Sequence, residues 1–193
     1  MYTIDNNNLK IILNKNDYVL ISINILVSFY FTFLVINNIE MFNNNIQLLD
    51  LLSFIIWVVL HEIIFFYIHK FLHNPKIYKY IHKYHHKYIN TNVLTSFYAH
   101  PLDHVSVMFS FLIGPLITIN YLNIIISYKI LYLYIILGSL TFINSHNMLK
   151  NNYLSHHLIH HTKFNYNFGN YKFFDKLYNT YYEPHASQSG LSI

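Results

Sequence analysis

The chain has 193 residues, 54% hydrophobic and only 10% charged, where a soluble globular chain carries about 25% charged residues, so it reads as one domain in a lipid environment. Cysteine and arginine are absent, and the twelve lysines behind a net charge of +4 are scattered. This excludes disulfides, thiolate metal sites, cysteine nucleophiles and the dense basic face of a nucleic-acid binder.

Taken in chain order, the first apolar run, Tyr18 to Ile36, is long enough to cross a hydrocarbon core. It lies too far from Met1 for a cleaved signal peptide, though an uncleaved anchor is compatible with it. The second run, Leu48 to Ile68, carries Asp50, His61 and Glu62. The third, Val105 to Ile143, is twice the length of one span, and Asn120 and Asn123 near its middle predict a tight helical hairpin. The expectation is an all-α integral membrane protein with about four transmembrane helices, forming a single domain over residues 1–193.

Four spans place the N-terminus, the segment Lys70 to His104 and the segment after Ser145 on one side. Eleven of the twelve lysines fall there. Lys129 is the exception, close enough to the hairpin turn to snorkel. The positive-inside rule makes that side cytosolic, and the same parity puts every histidine cluster on it.

Thirteen of the fourteen histidines lie between His61 and His161. His69 and His73 are four apart. His82, His85 and His86 form an H-x-x-H-H set, and His157, His160 and His161 repeat it. Residues three and four apart share a helical face, so each cluster is expected to present two or three imidazoles in one direction. A lone histidine is most often a hydrogen-bonded interfacial side chain, but three clusters on one side argue for metal. The eight clustered histidines exceed one tetrahedral site, and His100 and His146 bring the count to ten, enough for two ions. An all-nitrogen set disfavours magnesium and calcium, and leaves iron, zinc and manganese open.

These residues carry a family resemblance. His61-Glu-Ile-Ile-Phe-Phe-Tyr-Ile-His69-Lys-Phe-Leu-His73 resembles the first histidine box of the fatty acid hydroxylase and sterol desaturase superfamily. His82-Lys-Tyr-His85-His86 is similar to the second box, and Phe97-Tyr-Ala-His100-Pro-Leu-Asp103-His104 to the segment that follows it in the sterol-oxidase branch. Gly114-Pro115-Leu116 suits the family's membrane hairpin. His157-Leu-Ile-His160-His161, continuing to Gly169 and Phe174-Asp175-Lys176-Leu177, resembles the third box. The likeness covers about residues 55–183. Lys70 stands where arginine is common, and Asn147-Met148 follow His146 where the sterol branch has Ser-Gly-Tyr.

The resemblance implies a helical, cytosolic, histidine-rich cap holding two non-haem iron ions. Such an oxidoreductase uses O2 to hydroxylate or desaturate an unactivated C–H bond of a fatty acyl, sterol or related lipid. The implied ligands are His69, His73, His82, His85, His86, His100, His146, His157, His160 and His161, with no other catalytic side chain. Glu62 is expected either to accept a hydrogen bond from a ligand imidazole or to pair with a lysine. Asp103 and Asp175 are further candidates for orienting ligands. A hydrogen-bonding role is expected for His61, bystander roles for His104 and His156, and a solvated surface position for His185. Electrons are expected from a separate cytochrome b5-type donor and an NAD(P)H-dependent reductase. The expected location is the endoplasmic reticulum or a host-derived internal membrane. An alkylglycerol-type monooxygenase and a non-catalytic metal-binding membrane protein are the alternatives.

Overall fold

The computed structural model describes residues 11–37, 42–89, 91–122, 124–146 and 156–182. His185, Asn123 and the start of the segment after His146 lie outside them. Four long helices, α1 (Lys15–Asn37), α2 (Leu48–Leu72), α4 (Pro101–Asn120) and α5 (Tyr128–Ser145), are each long and apolar enough to cross a membrane. Three short helices, α3 (Pro75–Tyr78), α6 (His156–Lys163) and α7 (Lys172–Leu177), belong to the histidine-bearing segments. The protein is an all-α membrane protein. Two two-residue strands, β1 (Phe42–Asn43) and β2 (Ile126–Ser127), pair in parallel at the opposite end of the bundle. There the buried Asp50 accepts hydrogen bonds from the backbone N–H of Gln47 at 2.7 Å and of Ser127 at 2.8 Å.

The outer faces of α1 and α5 are covered by exposed apolar side chains, among them Leu26, Phe29 and Phe33, and Leu133, Ile136 and Leu140. Such a surface is stable against acyl chains and unstable in water. The bundle's interior is built around Trp57, Leu112, Leu131 and Tyr134. Helices α2 and α4 approach closely because Gly114 has no side chain: a Cβ there would lie 3.0 Å from Trp57 Cδ1. Trp57 Nε1 donates to Thr118 Oγ1 at 2.8 Å, which removes a bare donor from the apolar interior.

Pro115 lies inside α4 and has no N–H to offer the Phe111 carbonyl one turn earlier. The hydroxyl of Tyr134, from α5, donates to that carbonyl at 2.9 Å. A freed backbone group at membrane depth must find another partner, and this one does.

The tight hairpin expected around Asn120 and Asn123 is replaced by a longer connection that carries β2 between α4 and α5. Helix α2 continues past Ile68 to Leu72, 25 residues in all, or about 37 Å at 1.5 Å per residue. That exceeds a hydrocarbon core of about 30 Å, so its last turns stand clear of the acyl region. Helix α4 begins at Pro101, earlier than hydropathy alone suggests, because His100 caps it and proline suits its first turn. The start of α1, the end of α2, the start of α4 and the end of α5 meet at one end, and the histidines gather there.

Candidate metal centre

Each histidine reaches the site by a distinct local device. His69 occupies the last turn of α2, and His73 is its C-cap, its N–H bonded to the His69 carbonyl. His82, His85 and His86 sit on a tight turn that ends in a 3₁₀ helix at residues His85–Lys87. That turn is tied to α1 by Lys87, whose ammonium lies 2.5 Å from the buried Asp17, and by the Tyr88 hydroxyl, 2.7 Å from the same carboxylate. His146 is the C-cap of α5, and Thr91 Oγ1 donates to its carbonyl at 2.5 Å. His157, His160 and His161 lie on α6.

Nine imidazoles converge in two groups. One contains His69, His73, His82, His86 and His160; the other contains His85, His146, His157 and His161, with ligand atoms in each within 4.8 Å of one another. Each H-x-x-H-H set presents two of its three imidazoles in one direction, within the expected two or three, and sends the remaining one to the other group. His82 and His86 join the first group while His85 joins the second, and His157 and His161 join the second while His160 joins the first. On a helix, residues four apart differ by about 40° and adjacent residues by about 100°. Each motif therefore gives two imidazoles to one group and one to the other.

The distances suit a shared cation. His73 Nε2 lies 3.0 Å from His160 Nε2, and His86 Nε2 lies 3.1 Å from that of His82 and 3.2 Å from those of His73 and His160. In the second group His85 Nε2 is 3.3 Å from His157 Nε2 and 3.5 Å from His146 Nε2. Two nitrogens about 2.1 Å from one ion are separated by roughly 3.0 Å at a right angle and about 3.4 Å at the tetrahedral angle. Several of these nitrogens have no proton to share. His69 Nδ1 donates to the Phe168 carbonyl at 2.6 Å, His160 Nδ1 to the Tyr166 carbonyl at 2.7 Å, His82 Nδ1 to Asp103 at 2.7 Å, and His146 Nδ1 to the Phe142 carbonyl at 2.9 Å. In a neutral ring the opposite nitrogen is then a bare acceptor. His69 Nε2 is buried without a hydrogen-bond partner among the described residues. Lone pairs facing one another around a buried point call for a cation, and the residues fit one at each group.

Burial first, and neighbouring imidazoles second, hold His85, His86, His157, His160 and His161 well below the ordinary histidine value. Burial lowers His73 to about 3 and, against the bond to Phe142, His146 to about 4. The rings are neutral and available to a metal.

His100 stands apart from both groups. Its Nδ1 accepts a hydrogen bond from the Leu102 N–H at 3.2 Å, and its ring packs on Tyr84. Glu62 holds backbone N–H groups of the segment after the third cluster. Its Oε2 accepts the Asn170 N–H at 3.2 Å and its Oε1 the Tyr171 N–H at 3.0 Å. Asp175 accepts from the N–H groups of Phe168 at 2.8 Å and Gly169 at 2.9 Å, from Thr180 Oγ1 at 2.7 Å and from His156 Nε2 at 2.8 Å. Burial opposes its charge, but those hydrogen bonds keep its carboxyl below the ordinary value. His156 therefore supports Asp175 rather than standing by. His104 Nε2 meets Ser28 Oγ at 2.7 Å, and His61 bridges Ser110 and Asn170 at 3.3 and 3.4 Å. The carbonyls of Phe142, Tyr166 and Phe168, which orient three ligand rings, carry no side-chain signal in the sequence. The short run from Asn165 to Gly169 after the third cluster is the only hint of the latter two.

A cavity of about 30 Å³ lies against the groups, lined by His69 and His82 of the first, His85, His146 and His157 of the second, and apolar Phe65, Val107 and Phe142. It exceeds the roughly 10–15 Å³ that one water needs, so there is room for a small molecule beside both groups.

The family model described as fatty acid hydroxylase matches residues 54–180. Fatty acid hydroxylase domain-containing protein 2 of Homo sapiens and its namesake in Macaca fascicularis are each 35% identical over 136 residues, covering 67% of this chain and 38% of theirs. The chain thus spans less than two fifths of the length of these relatives. No solved structure matches. The histidine boxes, four spans and family match agree: the chain belongs to the fatty acid hydroxylase family.

Proposed function

We propose that this chain is a membrane oxidoreductase that uses two iron ions and O2 to hydroxylate or desaturate a C–H bond of a lipid. The observation that carries the reading is the apolar cavity bordered by imidazoles of both groups. His69, His73, His82, His86 and His160 would hold one ion, and His85, His146, His157 and His161 the other. Iron would supply the redox chemistry: in hydroxylation one oxygen atom enters the C–H bond and the other leaves as water, consuming two electrons and two protons from a donor.

The chain's own residues have simpler tasks. Asp103 and the carbonyls of Phe142, Tyr166 and Phe168 keep the proton of four ligand rings on Nδ1. Phe65, Val107 and Phe142 border the reacting space with apolar surface. An acyl chain is larger than the cavity, so its binding would require these side chains to move.

Asp17, Asp50, Glu62, Asp103 and Asp175, the acidic residues among those described, are all buried. Lys70, Lys76, Lys79, Lys83, Lys163, Lys172 and Lys176 are exposed on the histidine-bearing segments. This supports a cytosolic orientation of the cap in an internal membrane such as the endoplasmic reticulum. It also suits an electron donor with an acidic surface, of the cytochrome b5 type fed by an NAD(P)H-dependent reductase.

The test is metal analysis of purified protein together with lipid profiles of cells with and without it. Iron in the protein and a new hydroxylated or unsaturated lipid are expected, with the lipid lost and the iron reduced by His85→Ala or His160→Ala. Metal-free protein, or a lipid profile indifferent to those substitutions, would sink the reading.

A further inference from the structure

The segment between α6 and α7 supplies two of the carbonyls that orient first-group ligands, and it is irregular. Phe164 and Asn167 have left-handed φ values of 42° and 58°. A segment of this kind has no helix or sheet to fix it, so something else must. Four consecutive backbone N–H groups, Phe168 to Tyr171, are held by two buried carboxylates, Asp175 taking the first two and Glu62 the last two. A Cβ on Gly169 would lie 2.7 Å from Glu62 Oε1 and 3.2 Å from Asp175 Oδ2, so both carboxylates can close on the loop only because residue 169 is glycine.

The peptide plane links these bonds to the metal ligands. The Phe168 carbonyl and the Gly169 N–H belong to one rigid planar unit. Its N–H donates to Asp175 Oδ2 at 2.9 Å and its carbonyl accepts from His69 Nδ1 at 2.6 Å. The unit joining Tyr166 and Asn167 is arranged alike. Its carbonyl accepts from His160 Nδ1 at 2.7 Å, and its N–H donates to the Thr180 carbonyl at 2.8 Å. Thr180 is in turn bonded to Asp175 through its hydroxyl at 2.7 Å and through its N–H, to the Asp175 carbonyl, at 2.8 Å. Asp103 reaches His82 directly; Asp175 reaches His69 through one peptide and His160 through a peptide and Thr180. An anion on the N–H side polarises the peptide and strengthens the carbonyl as an acceptor.

We propose that Asp175 is a positioning residue for the first metal group, acting through two peptide units on His69 and His160 and leaving the second group unaffected. This rests on the metal reading given above. Among the described residues none of His85, His146, His157 and His161 hydrogen-bonds to the 164–171 segment, to Asp175 or to Glu62, and Asp175 meets α6 through His156, a ring in neither group, which is why selectivity is expected.

The test uses the full chain in detergent with cobalt(II) as the probe. Two backgrounds isolate the groups: His157→Ala/His161→Ala keeps the first group complete, and His73→Ala/His86→Ala keeps the second. Asp175→Asn is expected to weaken cobalt binding 10- to 100-fold in the first background and to alter its cobalt absorption spectrum. In the second background, binding and spectrum should stay unchanged. Thr180→Val, a milder change at the same hub, should give the same selectivity with a smaller loss, and serves if Asp175→Asn does not fold as judged by circular dichroism. An equal loss in both backgrounds, or in neither, overturns the proposal. A parent chain that binds no cobalt overturns the metal reading and this proposal with it; a parent that binds cobalt while Asp175→Asn is indifferent overturns this proposal alone.

Discussion

His160 and His161 are adjacent in sequence, yet their imidazoles serve different groups, with ring centroids 6.2 Å apart. Removing one is therefore not equivalent to removing the other. His160→Ala is expected to deplete the first metal position and His161→Ala the second, each leaving about half the metal of the parent chain. Elemental analysis of the two variants and of the double variant checks this; loss of all metal from either single variant would show one interdependent site.

Asp103 and His82 give the direct form of ligand support, at 2.7 Å with both side chains buried. Asp103→Asn keeps the shape and removes the charge. A loss of 10- to 100-fold in metal affinity is expected, read by competition with a chelator of known strength. Retention of parent affinity would reduce the pair to packing.

His100 separates the sequence pattern from the geometry. Because its ring caps α4 and lies outside both groups, His100→Ala should leave metal content unchanged. It should lower stability by about 1 kcal/mol or less, the range of a helix N-cap, measured by thermal unfolding in detergent. Loss of one metal would restore His100 to the ligands.

Gly169→Ala places a methyl against Glu62, the Tyr171 carbonyl and Asp175. Overpacking of this kind costs about 1–3 kcal/mol. Because the loop must shift, metal affinity should fall along with stability, whereas Gly138→Ala, whose new methyl would press first on the Phe111 ring, should affect stability alone. Titrating both variants with the same metal distinguishes the cases.

Tyr134→Phe tests the repair beside Pro115. Without the hydroxyl, the Phe111 carbonyl loses its donor at membrane depth, a cost of about 1 kcal/mol. No change in metal content should accompany it, since Tyr134 lies in the bundle's interior. A thermal midpoint equal to the parent's would mean the carbonyl finds another partner.

The sequence by itself determined the four spans, because acyl chains demand long runs with few charges and those runs are local. It also determined that the histidines share one end, since the parity of four crossings leaves no choice. The third box even signals Gly169 and Asp175, though not what they do. Only the tertiary structure decided how nine imidazoles divide, because His82 and His86 separate from His85 by turn geometry and find partners on α2 and α6. The same is true of Glu62, which lies one turn-pair before His69 in sequence yet bonds to Asn170 and Tyr171, more than a hundred residues away. His100, similar in sequence context to the ligands, was diverted to a helix cap by Pro101 and the start of α4. Spacing along a chain fixes which side chains share a face; which faces meet is fixed by packing between segments that no local pattern records.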